Sequence, residues 1–367
     1  MEAFPSLAMV AVECSNVVIS ILFKAASLKG LSYYIFTAYC YVLATLVFIP
    51  LFFFRNTVFP AWNFPIISLL CLHGITGFIG SICQNKGIEL GSPILASAIS
   101  NLTPAFTFIL AVSFRMERVE LRRAATQAKI IGTITSISGA FLMIFYKGPM
   151  VIPSAAWTPL SSSSDVQLQR PLESSQSNWI TGGILEAIAY LLYSYSYIIL
   201  AQIMEIYSDE IAVTFFYNLS VVILAIPACL IAEPQLSSWM LTSSTSVAAV
   251  LYTGIFGFSF SAVVHTWGVR LKGPVYVASF APASIVIAAV MSAMFLGEAI
   301  YLGSVVGSVI ITAGLYAVLW GKEEEEKENE AEAEAEAEKM RDEEYCGLNR
   351  LGHLCDGGVP LLQSCKG

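Results

Sequence analysis

Glu13, Asn16, Ser20 and Lys24 lie in one apolar run, spaced by three, four and four residues, which puts them on a single helical face. A later run carries Glu186, Tyr190, Tyr193 and Tyr197 at nearly the same spacing. A shift of 173 residues places Glu13 on Glu186 and Lys24 on Tyr197. A carboxylate inside a bilayer costs about 2.5–3.5 kcal/mol on insertion scales, so it normally faces a cavity or a partner. Such a pair can meet an amine or carry a proton; the alternative is a structural glutamate bonded to a neighbouring helix. Lys24, near its helix end, is expected to snorkel to the interface.

Two further stripes have the same character. His73, Gly77, Ser81 and Gln84 share one face, with Asn85 beside it; Gly257, Ser261 and His265 share another, followed by Trp267. A shift of 181 pairs Gln84 with His265. An imidazole there could serve a proton or a carboxylate near neutral pH, or simply pack between helices. The stretch "ILASAISNLTPAFTFILAV" (94–112) holds Asn101, Thr103 and Pro104 at its centre. Proline withholds a helix hydrogen bond, and the same shift sets Asn101 opposite Pro282 in "ASFAPASIVIAAV". Pro104 and Pro282 are therefore expected to kink two related helices. The expected substrate-binding set is Glu13, Asn16, Gln84, Asn101, Glu186, Tyr190, His265 and Trp267. No catalytic or metal-ligating set and no cofactor are expected: GxSxG, P-loop, HExxH and paired CxxC patterns are missing.

The elements that must hold these residues follow from composition. The chain has 367 residues, 56% hydrophobic and 13% charged, with a mean hydropathy of +0.70. That is too little charge to clothe a soluble domain. Apolar runs near the roughly 20 residues needed to span a bilayer occur ten times: about 6–27, 33–54, 64–86, 92–114, 128–146, 179–201, 210–232, 247–269, 274–296 and 301–320. The first run has no basic region before it and exceeds a signal-peptide core, so it reads as the first span. A Ser- and Pro-rich linker, 147–178, divides the chain into five-span repeats at 1–146 and 179–321, followed by an acidic tail at 322–367.

The two repeats resemble each other in detail. A shift of 181 lays "GIELGSP" (87–93) on "GVRLKGP" (268–274), Phe114 on Phe295 and Glu117 on Glu298. A shift of 175 then aligns Gly132 with Gly307, Gly139 with Gly314 and Lys147 with Lys322. Five spans per repeat reverse the direction of entry, so the fold class is an all-α integral membrane protein of ten transmembrane helices in two inverted repeats. Its substrate site is expected near the midplane.

Lys and Arg near the span ends set the orientation. With the N-terminus cytoplasmic, the inner loops hold Arg55, Arg115, Arg118, Arg122, Arg123, Lys129, Arg270 and Lys272; the outer ones hold Lys24, Lys29, Lys86, Lys147 and Arg170. The excess favours cytoplasmic N- and C-termini. The formal net charge of −8 comes largely from "KEEEEKENEAEAEAEAEKMRDEE" (322–344), expected to be disordered and solvated. No basic nucleic-acid patch exists. Gly303 and Gly307 form a small-xxx-small pair for packing within the chain or between protomers. Cys14, Cys40, Cys71, Cys83 and Cys229 read as small apolar residues within spans, and Cys346, Cys355 and Cys365 as free thiols of the tail.

At "LFKAASLKGLSYYIFTAYCYVLATLVFIPLFFF", "ASAISNLTPAFTFILAVSFRMERVELR" and "ASFAPASIVIAAVMSAMFLGEAIYLGSVVGSVIITAGLYAVLWGK", the sequence resembles the plant Walls-Are-Thin-related proteins. These are nodulin-like, EamA-type members of the drug/metabolite transporter superfamily, also called the UMAMIT family. The resemblance covers about residues 6–322. It implies two inverted EamA repeats of five helices that move amino acids or auxin-like compounds, as exporter or bidirectional facilitator, at the plasma membrane or tonoplast. It also implies a cavity lined by the first, third, fourth, sixth, eighth and ninth spans, with the fifth and tenth peripheral. The rival reading is a non-transporting membrane scaffold whose acidic tail recruits a cytoplasmic partner.

Overall fold

The computed structural model describes residues 3–54, 64–114, 123–152, 176–278, 280, 282–296 and 299–355. Most of the linker (153–175) lies outside the described residues, as do Arg55, Arg115, Glu117, Arg118, Arg122, Arg170, Glu298 and Cys365.

Apolar runs become helices because only a helix satisfies every backbone group without water. In order they are α1 (Ala3–Ser27), α2 (Tyr33–Phe54), α3 (Phe64–Leu90), α4 (Pro93–Ile99), α5 (Thr103–Ser113), α6 (Ala124–Phe145), α7 (Gln176–Ile206), α8 (Glu210–Ala232), α9 (Ser244–Tyr252), α10 (Ala262–Ala278), α11 (Pro282–Met291) and α12 (Leu302–Cys355). Among the described residues, nine stretches are long and apolar enough to cross a membrane, and Ile287–Leu296 forms a shorter apolar helix. The all-α membrane architecture expected from the sequence is the one observed.

Two boundaries differ from the apolar runs. The fourth run is two helices, α4 and α5, joined by a 3-10 turn at Ser100–Leu102. The eighth and ninth runs divide later than their apolarity suggests. α9 continues through a π-helical stretch, Thr253–Ser261, into α10 as far as Ala278, and α11 opens at Pro282. The π stretch has a local cause: Ser259 Oγ donates to Gly254 O at 2.7 Å and Ser261 Oγ to Phe256 O at 2.8 Å, both five residues back.

The helices pack so that contacts exchange with the halves. α2 lies on α8 and α6 on α12; α3 on α7 is matched by α1 on α9 and α10, and α5 on α7 by α11 on α1. The α6–α12 seam is close because glycines meet backbone there. A Cβ at Gly314 would lie 2.5 Å from Ser136 N, and one at Gly303 only 1.6 Å from Tyr146 O. The small-residue stripe is thus used within the chain. Strand β1 (Met150–Ile152) pairs antiparallel with β2 (Ile300–Tyr301), tying the end of α6 to the start of α12.

The outer faces of α6 and α12 carry Ile131, Phe141, Val309 and Tyr316, all 60% or more exposed, as lipid contact demands. Where the sequence suggests a tail without structure, α12 continues through it to Cys355. Glu, Ala and Lys are strong helix formers, and the extension is pinned at its base. Lys129, almost fully buried in α6, meets Glu325 at 2.5 Å, and Arg123 meets Glu328 at 3.7 Å.

Candidate functional site

A cavity of about 240 Å³ lies among the helices. Along α1 its lining residues run from Glu13 to Phe23, between two apolar plugs. One joins Met9, Ile66, Ile203, Val213 and Val264; the other joins Phe23, Ile35, Ile88 and Ala249.

Five of the eight expected binding residues line this cavity: Glu13 and Asn16 from α1, Gln84 from α3, Tyr190 from α7 and His265 from α10. Their common address follows from helical spacing, since each sits on the polar stripe of its own helix and the stripes converge. Thr103 and Ser284, related by the 181-residue shift and standing at the starts of α5 and α11, also line it. Both chain interruptions, one at each related position, therefore deliver a hydroxyl to the same space.

Asn101, Glu186 and Trp267 do not line it. Asn101 is completely buried and donates to Ser97 O at 2.9 Å and Ala98 O at 3.3 Å, while Thr103 Oγ1 donates to Ser100 O, the carbonyl that Pro104 leaves without its helical donor. Pro104 is the second residue of α5 and Pro282 the first of α11. Glu186 is completely buried against α3. A Cβ at Gly87 would fall 2.7 Å from its Oε1, and neither carboxylate oxygen has a hydrogen-bond partner among the described residues. Trp267 is half-buried outside the cavity. Lys24 does not snorkel: its Nζ donates to Ile88 O, Glu89 O and Gly91 O, each at 2.9 Å, closing the carboxyl end of α3.

Other wall residues were not singled out by sequence. Tyr41 of α2 and Tyr217 of α8 enter the cavity wall, so the second and seventh spans contribute alongside the six implied by resemblance. They join a hydroxyl and amide chain. Tyr41 Oη lies 3.2 Å from Tyr217 Oη and 2.8 Å from Ser81 Oγ; Tyr193 donates to Gln84 Oε1 at 3.0 Å, and Gln84 Nε2 donates to Tyr190 Oη at 3.1 Å. His73, given no role from sequence, also lines the cavity; its Nδ1 is 2.6 Å from Ser196 Oγ and its ring lies tilted against that of Tyr217, 4.4 Å between centroids. A signal for Tyr41 and Tyr217 existed in their near-equivalent positions in spans two and seven, but tyrosine in an apolar run raises no alarm.

The comparisons with known proteins agree with this architecture. The EamA-like transporter family model matches residues 6–145 and again 180–320. Three WAT1-related proteins of Arabidopsis thaliana are 51%, 48% and 42% identical over 88% of this chain, which spans 87%, 89% and 86% of theirs. A solved crystal structure, 13% identical, superposes with a TM-score of 0.54 over 85% of this chain and 98% of that one, a likeness of fold alone. With one match to the family model in each half and relatives at up to half identity, the chain belongs to the EamA-like transporter family.

Proposed function

We propose that this multi-pass membrane transporter carries small metabolites, amino acids or auxin-like compounds, as an exporter or bidirectional facilitator. The mechanism is alternating access between repeats 1–146 and 179–321. The observation that carries the reading is a single cavity to which both repeats bring polar side chains, Glu13, Gln84 and Thr103 from one and Tyr190, His265 and Ser284 from the other. Its size, about 240 Å³, falls below the roughly 300–1,000 Å³ of drug-sized sites and suits a small metabolite. The glycine-closed α6–α12 seam serves as a frame against which α1, α4, α5, α10 and α11 reorient. Glu13, Asn16, Gln84, Tyr190 and His265 contact the substrate, and Glu186 is held in reserve against Gly87. The N- and C-termini are cytoplasmic, and the membrane is the plasma membrane or the tonoplast.

The test is flux into vesicles reconstituted with the full chain, using labelled amino acids and indole-3-acetic acid. A saturable flux that falls at least about tenfold in Glu13→Gln is expected. Absence of flux for every compound, with correctly inserted protein, sinks the transport reading in favour of a scaffold.

A further inference from the structure

Among the described residues, Glu13 is the only carboxylate lining the cavity, and no lysine or arginine lines it. The polar wall is further biased by where its protons go. The hydroxyls of Ser20, Ser100, Thr103, Thr214, Ser261 and Thr266 donate to carbonyls of their own helices, at 2.5–3.0 Å. A hydroxyl has one donor and two lone pairs, so each of these oxygens has only acceptor capacity left. The amides are partly engaged within the wall: Gln84 gives one N–H to Tyr190 Oη and accepts from Tyr193, and Asn85 gives one N–H to Thr37 Oγ1 at 3.0 Å. Tyr41, Tyr190, Tyr193, Tyr197 and Tyr217 complete the wall with aromatic rings, whose quadrupoles attract cations over their faces.

A wall of committed hydroxyls and aromatic rings around one carboxylate is complementary to a compact donor with positive charge. Among the described residues it offers an isolated carboxylate no lysine or arginine to pair with. Resting on the transport reading above, we infer that the cavity recognises its substrate through an organic ammonium group held by Glu13 and the tyrosines. A substrate carboxylate is tolerated but not recognised. Within the proposed substrate range, amino acids and simple primary amines fit, and auxin-like organic anions do not.

Three ligands separate these groups: phenylalanine, phenethylamine, which lacks the carboxylate, and 3-phenylpropionate, which lacks the amine. Alanine, propylamine and propionate form the matching small series. Binding to the purified full chain in lipid nanodiscs is measured by calorimetry, without reference to flux. The amine and the amino acid of at least one series should bind within about threefold of each other, and the acid at least about tenfold more weakly. Glu13→Gln should weaken both amine-bearing ligands about tenfold or more and leave the acid unchanged. Tyr197→Leu gives a second reading on a cavity wall that retains the carboxylate, and should weaken the amines several-fold. The inference is overturned if an acid matches its amino acid, or if removing the carboxylate costs about tenfold. It is equally overturned if acid binding is lost in His265→Gln, or if no amine binds a preparation with native near-ultraviolet circular dichroism. Failure of the transport reading has a different signature: amines bind as described, yet no compound crosses the membrane.

Discussion

Lys24 shows how far a single side chain departs from the habit of its type. A lysine near a helix end usually reaches for water, but here the ammonium turns inward and takes three carbonyls at the end of α3, at 2.9 Å each. Lys24→Met removes the charge and all three bonds while keeping the stem. It should cost about 2 kcal/mol of stability, read as a lowered midpoint in thermal unfolding of the solubilised protein. Gly87 is the complementary case, empty space already occupied by Glu186. Gly87→Val must displace that carboxyl, so a loss of about 1–3 kcal/mol is expected. Recovery in the double variant Gly87→Val with Glu186→Ala would identify the clash as the cause. Glu13 was legible from sequence because its neighbours on the same face were polar. Glu186 lies outside the cavity although the 173-residue shift sets it on Glu13, because equivalent positions in the two repeats do not have equivalent surroundings. The shift also sets Gly182 opposite Met9, and these differ: Gly182 lets α7 close onto Gly87 and Gly91, whereas Met9 presents its sulfur toward Gly268. Side-chain size at one position thus separates two carboxylates that sequence alone makes equal.

At the scale of elements, periodicity and length were enough to find nearly every helix, since each backbone in lipid must satisfy itself. What they missed were the interruptions. Apolarity runs unbroken through 247–269 and resumes at 274, but α10 keeps Pro274 inside it and yields only before Pro282. The hydrogen bonds that decide such breaks, like those from Asn101 to Ser97 O and Ala98 O, are set in three dimensions. Asn101→Leu keeps the branched skeleton, though in a bulkier form, and strips these bonds from two carbonyls at the end of α4. It should destabilise the protein by about 1–3 kcal/mol. Faster hydrogen exchange confined to 97–104 would be the local mark of that loss. The α6–α12 seam makes a sterner prediction. Gly314→Leu would drive its side chain into Ser136 and Gly132 O, so a cost of about 3 kcal/mol or more and poor recovery from the membrane are expected. Gly148→Ala sits in a left-handed turn at φ 69 rather than in the seam, so it should disturb the β1 connection alone.

For the whole molecule, the acidic segment matters in a way its composition concealed. Glutamate and alanine without an apolar stripe read as unstructured, because a sequence window does not show what lies beside its first turn. Buried Lys129 lies there, and Glu325 meets it. A chain ending after Glu324 loses that partner and should be less stable by about 3 kcal/mol, whereas one ending after Glu330 keeps it and should unfold like the full chain. Matching melting curves for the two truncations would show that the pair contributes nothing. Beyond Lys322 the helix continues for 33 residues to Cys355, about 50 Å at 1.5 Å per residue. A rod of that length, rooted in the glycine-closed α6–α12 seam, acts as a boom. A tilt of about 10° at its root would swing its far end through roughly 9 Å.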